Sequence, residues 1–248
     1  MNQLIKEVKI LLRSIPSGVT ALFAISVIAM NLLANKSIAL PVSWLALDAG
    51  FLFSWIAFLT MDIVTRRFGP RAATLLSLFI TVINLGTAAI FYIASSIPGV
   101  WGESFVTGSE AVINTALDHT FGGTWYVLLG STIAFLLSAA VNNFSNWSLG
   151  KLVHNKPNSF GAYAFRSYTS TFIGQFVDNL TFAFIVSHNF FGWSFIQCIT
   201  CAITGALFEL FCEIVFSPTG YRISNEWVKE DVGREYLDYA KANGKEYK

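Results

Sequence analysis

Three polar side chains that can donate or accept hydrogen bonds lie inside one long apolar stretch, FIGQFVDNLTFAF. Gln175, Asp178 and Asn179 stand near its middle, where most neighbours are hydrophobic. One helical face carries Thr171, Gln175, Asp178 and Phe182, at the spacing i, i+4, i+7 and i+11. A charged Asp at the centre of a membrane helix costs about 2.5–3.5 kcal/mol on insertion scales. Such a residue normally faces the interior of a helix bundle or a water-filled cavity, so the stretch predicts a substrate pathway.

Every other apolar segment carries a similar stripe of polar or aromatic residues at helical spacing. In chain order the stripes are Asn31 and Asn35; Phe51, Trp55, Phe58 and Asp62; Ser77, Thr81, Asn84 and Ala88; Ser131, Phe135, Ser138 and Asn142; and Glu209 with Glu213. One cavity shared by all the helices explains these stripes better than six unrelated occurrences of polar residues. The stripes therefore predict an internal cavity lined by carboxylates, amides and aromatic rings.

Several of these residues also have structural explanations. Asn in a membrane helix often hydrogen-bonds a neighbouring helix, which would account for Asn84. Asp62 has Arg66 four residues later, so a local ion pair competes with a ligand role. Asp178 has no basic residue within about a turn, and Glu209–Glu213 is a like-charge pair. These carboxylates are the hardest to explain by structure alone, and intramembrane carboxylates usually serve function.

The composition of the chain indicates that these residues lie in a membrane. The chain has 248 residues, of which 54% are hydrophobic and only 12% charged, and its mean hydropathy is +0.57. A soluble domain has about a quarter charged residues. A membrane-spanning helix needs roughly 20 apolar residues. Six segments meet this requirement, so we predict an all-α integral membrane protein with six transmembrane helices near residues 17–35, 45–64, 72–94, 124–145, 167–187 and 193–216.

The distribution of Lys and Arg orients the predicted helices. With the N-terminus in the cytoplasm, all basic residues except Lys36 lie on the cytoplasmic side, and the outer connection 97–123 contains none. Both termini are therefore predicted to be cytoplasmic, in a multi-pass protein of the plasma (cell inner) membrane. The predicted organisation is an amphipathic segment over residues 1–16, a six-helix transport domain over 17–216 and a solvated cytoplasmic tail over 217–248.

Neither a metal site nor an enzyme motif is predicted. Cys198 and Cys201 have the spacing of a metal or redox motif, but the sequence has no second Cys or His pair to complete a zinc site. HExxH, GxSxG and Gly-rich phosphate-loop motifs are missing from the sequence. We interpret the cysteines as packing residues, and predict no cofactor, no catalytic residue and no nucleic-acid partner.

Four stretches of the chain, in the same order, resemble the VUT family of vitamin-uptake-type proteins, the queuosine precursor transporters. The matching stretches are NLLANK at Asn31 to Lys36; LTMDIVTRRFGPRAA with Asp62, Phe68 and Gly69; RSYTSTFIGQFVDNLTFAFIVS with Arg166, Ser170, Gln175 and Asp178; and Glu213 followed by Pro218 and Tyr221. The resemblance covers most of residues 20–222. It departs at three places, because many members have an acid at the position of Arg66, an acid near Asn142, and a basic residue where this chain has Glu209.

The resemblance implies uptake of 7-deazaguanine precursors of a modified tRNA base, such as preQ0, preQ1 or queuine, across a lipid bilayer. The edge of a guanine-like ring presents two N–H donors that one carboxylate can accept, and its face stacks on aromatic side chains. We expect Asp178 or Glu213 to bind that edge. The remaining expected ligands are Trp55 or Phe58 as the stacking wall, Gln175, Asn84 and Asn31 as polar partners, and Asp62. An additional acid at Glu209 favours a cationic substrate such as preQ1.

Two other functions stay open at this point. The substrate-binding subunit of an energy-coupling-factor vitamin importer also has six spans, but such subunits dock through an Ala-x-x-x-Ala pattern in the first span. Here the nearest such pair, Ala202 and Ala206, lies in the sixth. An intramembrane enzyme that uses paired acids is the second alternative. The sequence leaves homo-oligomerisation and the energy source undetermined.

Overall fold

The computed structural model describes residues 2–101, 107–152 and 160–245, and within these residues the chain is all-helical, without a β-strand. A single isolated antiparallel bridge joins Ser37 to Asp48. The helices are α1 Asn2–Ser14, α2 Ser17–Leu33, α3 Phe51–Phe68, α4 Pro70–Ser96, α5 Glu110–Leu152, α6 Phe160–Phe182, a π-helical turn Ala183–Ser187, α7 His188–Phe190, α8 Phe195–Lys229 and α9 Arg234–Ala242.

Six long helices, α2 to α6 and α8, coincide with the six apolar segments of the sequence. Three of them, α4, α5 and α8, are long and apolar enough to cross a membrane, and α1 with α2 would add a fourth as a span bent by 107°. α3 carries Asp62, Arg66 and Arg67, which lowers its apolar character. The prediction of an all-α protein with apolar helices that could cross a membrane is confirmed. The six spans and their orientation stay predictions.

The long helices form a closed ring. α4 packs on α5, α5 on α6, α6 on α8, α8 on α3, and α3 on α4, while α2 fills the groove between α3 and α4. The ring brings the polar stripes of α3, α6 and α8 onto shared interfaces. The largest apolar core lies beside them, where Phe23, Phe58 and Phe135 are almost completely buried.

The second and fourth predicted spans differ from the helices. Residues 45–50 are not helical, and α3 starts only at Phe51. The reason is local: the carboxylate of Asp48 accepts a hydrogen bond from the backbone N–H of Gly50 (2.8 Å), an alternative to helical pairing. α5 begins at Glu110, inside the predicted outer connection 97–123 and well before the fourth predicted span at residue 124. At 43 residues it is about 65 Å long, about twice the thickness of a bilayer core.

The C-terminal segment is folded, whereas the sequence predicted a solvated tail. α8 continues through Pro218 to Lys229, and α9 packs against α1. Trp227 and Tyr236 are buried against Phe68. The turn between α8 and α9 requires Gly233, because its φ is +76° and a Cβ there would overlap the Phe68 ring. Aromatic burial therefore outweighs the polar character of the segment.

Ion pairs between side chains hold the amphipathic helix α1 against the rest of the chain. Glu7 is buried and accepts two hydrogen bonds from the guanidinium of Arg71 (2.7 and 3.0 Å) and one from the Lys245 ammonium (2.7 Å). Arg71 lies at the start of α4, and Lys245 follows α9. This ionic cluster, Glu7, Arg71 and Lys245, links both ends of the chain to the helix ring.

Candidate substrate site

A small polar pocket lies between α2, α3, α5 and α6. Its volume of about 30 Å³ is enough for one or two water molecules. A purine-sized ligand would therefore require the surrounding helices to separate. The lining combines acids, amides, hydroxyls and a few apolar side chains: Met30, Asn31, Ala34, Asp48, Gly50, Phe51, Ser54, Ser131, Asp178, Asn179 and Phe182.

Asp178 is one of two predicted site residues that line this pocket. Its Oδ1 accepts a hydrogen bond from the Ser138 hydroxyl (3.0 Å), and the side chain is only partly buried. None of the ion pairs between described residues involves it. Asn31 lines the same pocket and accepts a hydrogen bond from Ser131. The pocket thus brings together the polar stripes of α2, α5 and α6.

Asp48 is a second pocket acid, and the sequence interpretation missed it as a site residue. It lies in the irregular segment before α3 and is 8% exposed. The second predicted span, residues 45–64, included Asp48, but no role was assigned to it. An isolated acid in the apolar run SWLALDAG was the signal that could have identified it. Together with Asp178 it gives the pocket two carboxyl groups.

Glu209 lies beside the pocket and is surrounded by donors. The Ser54 hydroxyl donates to Oε1, and the Asn179 amide donates to Oε2 (3.2 Å). With its amide nitrogen oriented towards the carboxylate, Gln175 donates to Oε2 at 2.7 Å. These contacts satisfy a side chain that is completely buried. Ser54 and Asn179 both line the pocket, so the Glu209 carboxylate holds two lining residues in place.

The hydrogen bond from Asn179 to Glu209 is sterically possible because residue 205 is a glycine. A Cβ at Gly205 would lie 2.6 Å from the amide nitrogen of Asn179, within the range that real Cβ atoms essentially never show. Gly205 precedes Glu209 by one helical turn on α8. The close approach of α6 to α8 at this level therefore depends on the missing side chain.

A second buried group, the Asp62–Ser167–Glu213 cluster, joins α3, α6 and α8. The single hydroxyl of Ser167 lies within hydrogen-bonding distance of Asp62 Oδ2 and of Glu213 Oε1 (2.5 Å). Asp62 also accepts from Thr171 (3.3 Å) and Asn146 (3.5 Å). Glu213 is 0% exposed, and its Oε2 has no hydrogen-bond partner among the described residues. The two acids are thus unequally supplied with donors.

Arg166 lies near this cluster, whereas Arg66, one helical turn from Asp62 along α3, binds residues of α8. Arg166 donates to the Asn146 side-chain oxygen (2.8 Å), which places its charge beside the hydrogen-bond network of Asp62. Arg66 donates to Asn225 (2.8 Å) and lies over the Tyr221 ring at 4.3 Å. The donors observed on Asp62 come from α5 and α6, so the local i, i+4 ion pair is not its main interaction.

Seven of the nine predicted ligands lie outside the pocket lining: Gln175, Glu209, Asp62 and Glu213, described above, and Trp55, Phe58 and Asn84. Trp55 stacks on Phe216 at a centroid distance of 4.4 Å, and its indole donates to the backbone of its own helix. Phe58 is completely buried in the apolar core. Asn84 is buried in α4, and its side-chain oxygen has no hydrogen-bond partner within the described part of the chain. The aromatic side chains that do line the pocket are Phe51 and Phe182.

The cysteines lie within α8. Cys198 and Cys201 belong to an apolar cluster with Trp193 and Ala183. Among the described residues no group of acids, His and Cys could hold a metal ion. Cys198 and Cys201 thus pack against apolar side chains.

Comparison with known proteins identifies the family. Residues 48–223 match the family model described as "Putative vitamin uptake transporter". No curated protein and no solved structure matches the chain. The matched region begins at Asp48 and contains α3 to α6 and most of α8, hence both acid clusters. The chain therefore belongs to the vitamin uptake transporter (VUT) family of membrane proteins.

Proposed function

We propose that this protein imports 7-deazaguanine precursors of a modified tRNA base across the cell inner membrane, and that the polar pocket is its substrate site. The observation that carries the proposal is the partly exposed carboxylate of Asp178 in the pocket, within the region that matches the family. Six transmembrane helices with both termini in the cytoplasm complete the proposed topology.

The hydrogen-bonding capacity of Asp178 suits the proposed ligand. A guanine-like edge offers a ring N–H and an exocyclic amine side by side, and an ionised carboxylate accepts both. Ser138 uses one oxygen of Asp178, but each carboxylate oxygen has a second lone pair for the ligand. Asn31 and Asn179 can supply donors to the carbonyl side of the ring, and Phe182 an apolar face.

The pocket charge favours a cationic member of the substrate class. Asp48 and Asp178 both line it, and no Lys or Arg is among its lining residues within the described chain. An ammonium group such as the aminomethyl of preQ1 would compensate this charge. The sequence pattern attributes that preference to Glu209, but its oxygens already accept from three protein donors. The proposal therefore assigns the preference to Asp48 and Asp178.

Packing within the chain accounts for the Ala-x-x-x-Ala pair that was weighed for an energy-coupling-factor subunit. Ala202 and Ala206, the pair that could have formed its docking pattern, are both completely buried within the chain. Packing against neighbouring helices accounts for them.

A ligand panel tests the proposal. Detergent-purified protein is titrated with preQ1, preQ0, queuine and guanine, and the bound members are then assayed for uptake into proteoliposomes. We expect 7-deazaguanines to bind and be transported, with preQ1 tightest. Absence of binding by all the deazaguanines, with binding of a chemically different vitamin in the same preparation, would contradict the proposal.

A further inference from the structure

The buried acids of α3 and α8 are connected by too few hydrogen atoms for both to be ionised. Ser167 has one hydroxyl hydrogen, yet its oxygen contacts a carboxyl oxygen of Asp62 and one of Glu213. If both acids were ionised, one contact would place a hydroxyl lone pair against a carboxylate oxygen with no hydrogen between them. One additional proton on the pair removes this conflict.

The surrounding donors indicate which acid holds that proton. Asp62 accepts from Ser167, Thr171 and Asn146, and Arg166 approaches through Asn146. Among the described residues Glu213 contacts only the shared hydroxyl, its Oε2 has no partner, and it is fully buried. A buried ionised carboxylate needs donors or a counter-charge, which Asp62 has and Glu213 lacks. The resulting chain is Glu213 O–H to Ser167 Oγ, and Ser167 O–H to Asp62.

We propose that Asp62, Ser167 and Glu213 form a proton-binding site that couples substrate uptake to proton entry. In a transfer step the Glu213 O–H bond breaks and its proton moves to Ser167 Oγ, while the Ser167 proton moves to Asp62 Oδ2. Ser167 ends with one hydrogen, Glu213 becomes the carboxylate, and Asp62 becomes the acid. The step needs no other reactant, and it moves one positive charge from α8 to α3.

The location of the cluster connects it to the pocket. Glu213 lies one helical turn from Glu209 on α8, and Asp62 lies two turns from Ser54 on α3. Glu209 and Ser54 contact each other, and Ser54 lines the pocket. Arg166 on α6 is the charged group that approaches the pair, through the amide of Asn146 on α5. The ionisable neighbours within about one turn along the same helices are Arg66 on α3 and Glu209 and Cys212 on α8. The proton site therefore shares α3 and α6 with the substrate site, and the contact of Glu209 with the pocket-lining Ser54 would transmit a movement of α8 to both.

One experiment detects the proton without any substrate. Infrared spectra of protein in lipid nanodiscs at neutral pH should show the carbonyl band of a protonated buried carboxylic acid. Glu213→Gln should remove that band, and Ser167→Ala should shift it, because the hydrogen bond to Oγ is lost. Glu226→Gln, an exposed position on the same helix, is the control and should leave it unchanged. An identical band in the Glu213→Gln protein would overturn the assignment.

A second experiment measures coupling, which rests on the proposed function. In proteoliposomes with the membrane potential clamped by potassium and valinomycin, an outside-acid gradient should raise preQ1 accumulation by up to about tenfold per pH unit for one coupled proton. Glu213→Gln should bind preQ1 within about threefold of the unsubstituted protein but lose the response to the gradient. A retained response, or accumulation driven by sodium, overturns the coupling.

The two failures are distinguishable. If no deazaguanine binds, the proposed function is wrong, and the infrared band still decides whether the proton site exists. If deazaguanines bind and enter but the gradient has no effect, the proposed function stands and the coupling is overturned. A thermal melt of each variant identifies loss of folding, and Ser167→Ala provides an independent change to the same bridge.

Discussion

At the scale of single residues, the buried acids differ in how many donors they have. Glu209 accepts from three protein side chains, whereas Asp178 accepts from Ser138 alone among the described residues and Glu213 shares one hydroxyl with Asp62. A carboxylate that is fully hydrogen-bonded by its own protein has little capacity left for a ligand. The donor supply is why we propose a positioning role for Glu209, a ligand role for Asp178 and a proton-binding role for Glu213.

Asp178→Asn should weaken ligand binding more than it affects folding. The amide replaces one carboxylate oxygen by a donor, so one of two ligand N–H groups would face another donor. Loss of a charge-assisted hydrogen bond costs roughly 1.5–3 kcal/mol, which means an affinity at least about tenfold lower. Apo stability should hold or rise because a charge without an ion-pair partner is removed. Melting and preQ1 titration of one preparation measure both, with exposed Asp238→Asn as the control. Unchanged affinity with a lower melting temperature would contradict the ligand role.

Glu209→Gln should have the opposite profile. Glutamine keeps one acceptor oxygen, and its NH2 group then meets a donor from Ser54, Gln175 or Asn179. Each buried donor left unsatisfied costs about 1–3 kcal/mol, so the melting temperature should fall clearly. Glu226→Gln, on the exposed face of α8, should melt like the unsubstituted protein. Equal melting of the two variants would show that the three contacts contribute nothing to stability.

At the scale of elements, the pocket-lining part of α6 ends in a widened turn. The π-helical turn Ala183–Ser187 follows Phe182 directly, and the backbone oxygen of Ile185 accepts from the Tyr126 hydroxyl (2.7 Å). Gly130 of α5 faces this turn, where a Cβ would overlap the Val186 side chain. π-turns are often located at functional sites. This one sets the direction in which α6 leaves the pocket.

Gly205→Ala tests the close approach of α8 to α6. The new Cβ would displace the Asn179 amide from Glu209 and alter the pocket wall. We expect preQ1 affinity to fall by about tenfold or more and the melting temperature to fall as well, since overpacking costs about 1–3 kcal/mol. Gly86→Ala on α4 is the matched control, because no described atom lies within 4 Å of the position that its Cβ would take, and Ala favours a helix. Equal behaviour of both variants would contradict the proposed tight contact.

The sequence predicted elements better than contacts. Helical periodicity located the long helices, and two members of the α6 stripe lie inside the helix ring: Gln175 is buried and Asp178 lines the pocket. Spacing along one helix cannot reveal partners on another. The pairing of Ser167 with Asp62 and Glu213 thus needed the structure. Asp48 was missed because a hydropathy pattern does not distinguish an apolar loop from a helix, and Trp55 was assigned to the cavity although its ring stacks on Phe216.

At the scale of the whole molecule, the ionic cluster of Glu7, Arg71 and Lys245 should contribute stability that depends on pH. The hydrogen bond from Arg71 holds the pKa of Glu7 below its ordinary value of 4.5. Because the folded state lowers this pKa, the contribution is complete above pH 4.5 and is lost as the pH falls through the lower folded-state value. Glu7→Gln should reduce stability by roughly 1.5–3 kcal/mol near neutral pH, the strength of hydrogen bonds to charged groups.

Thermal melts between about pH 3 and pH 8 check this expectation. The difference between Glu7→Gln and the unsubstituted protein should be constant above about pH 5 and shrink in acid. Glu235→Gln removes the exposed pair with Arg13 and should change stability by less than about 1 kcal/mol. A Glu7→Gln effect as small as that of Glu235→Gln would contradict a structural role for the cluster.

The contact between the chain ends also bears on topology. α1 packs on α9, and Arg13 pairs with Glu235 at 2.9 Å, so the N-terminal and C-terminal helices must lie on the same side of the membrane. An even number of crossings between them satisfies this requirement, and the Lys and Arg distribution selects the cytoplasm as that side. An impermeant maleimide on intact cells should therefore label Thr107→Cys but not Lys241→Cys, both exposed positions, and should label the second after the membrane is opened. The native cysteines are buried, so the unsubstituted chain serves as the background control. Labelling of Lys241→Cys but not of Thr107→Cys in intact cells would reverse the orientation. Labelling of both would contradict the placement of these two positions on opposite sides of the membrane.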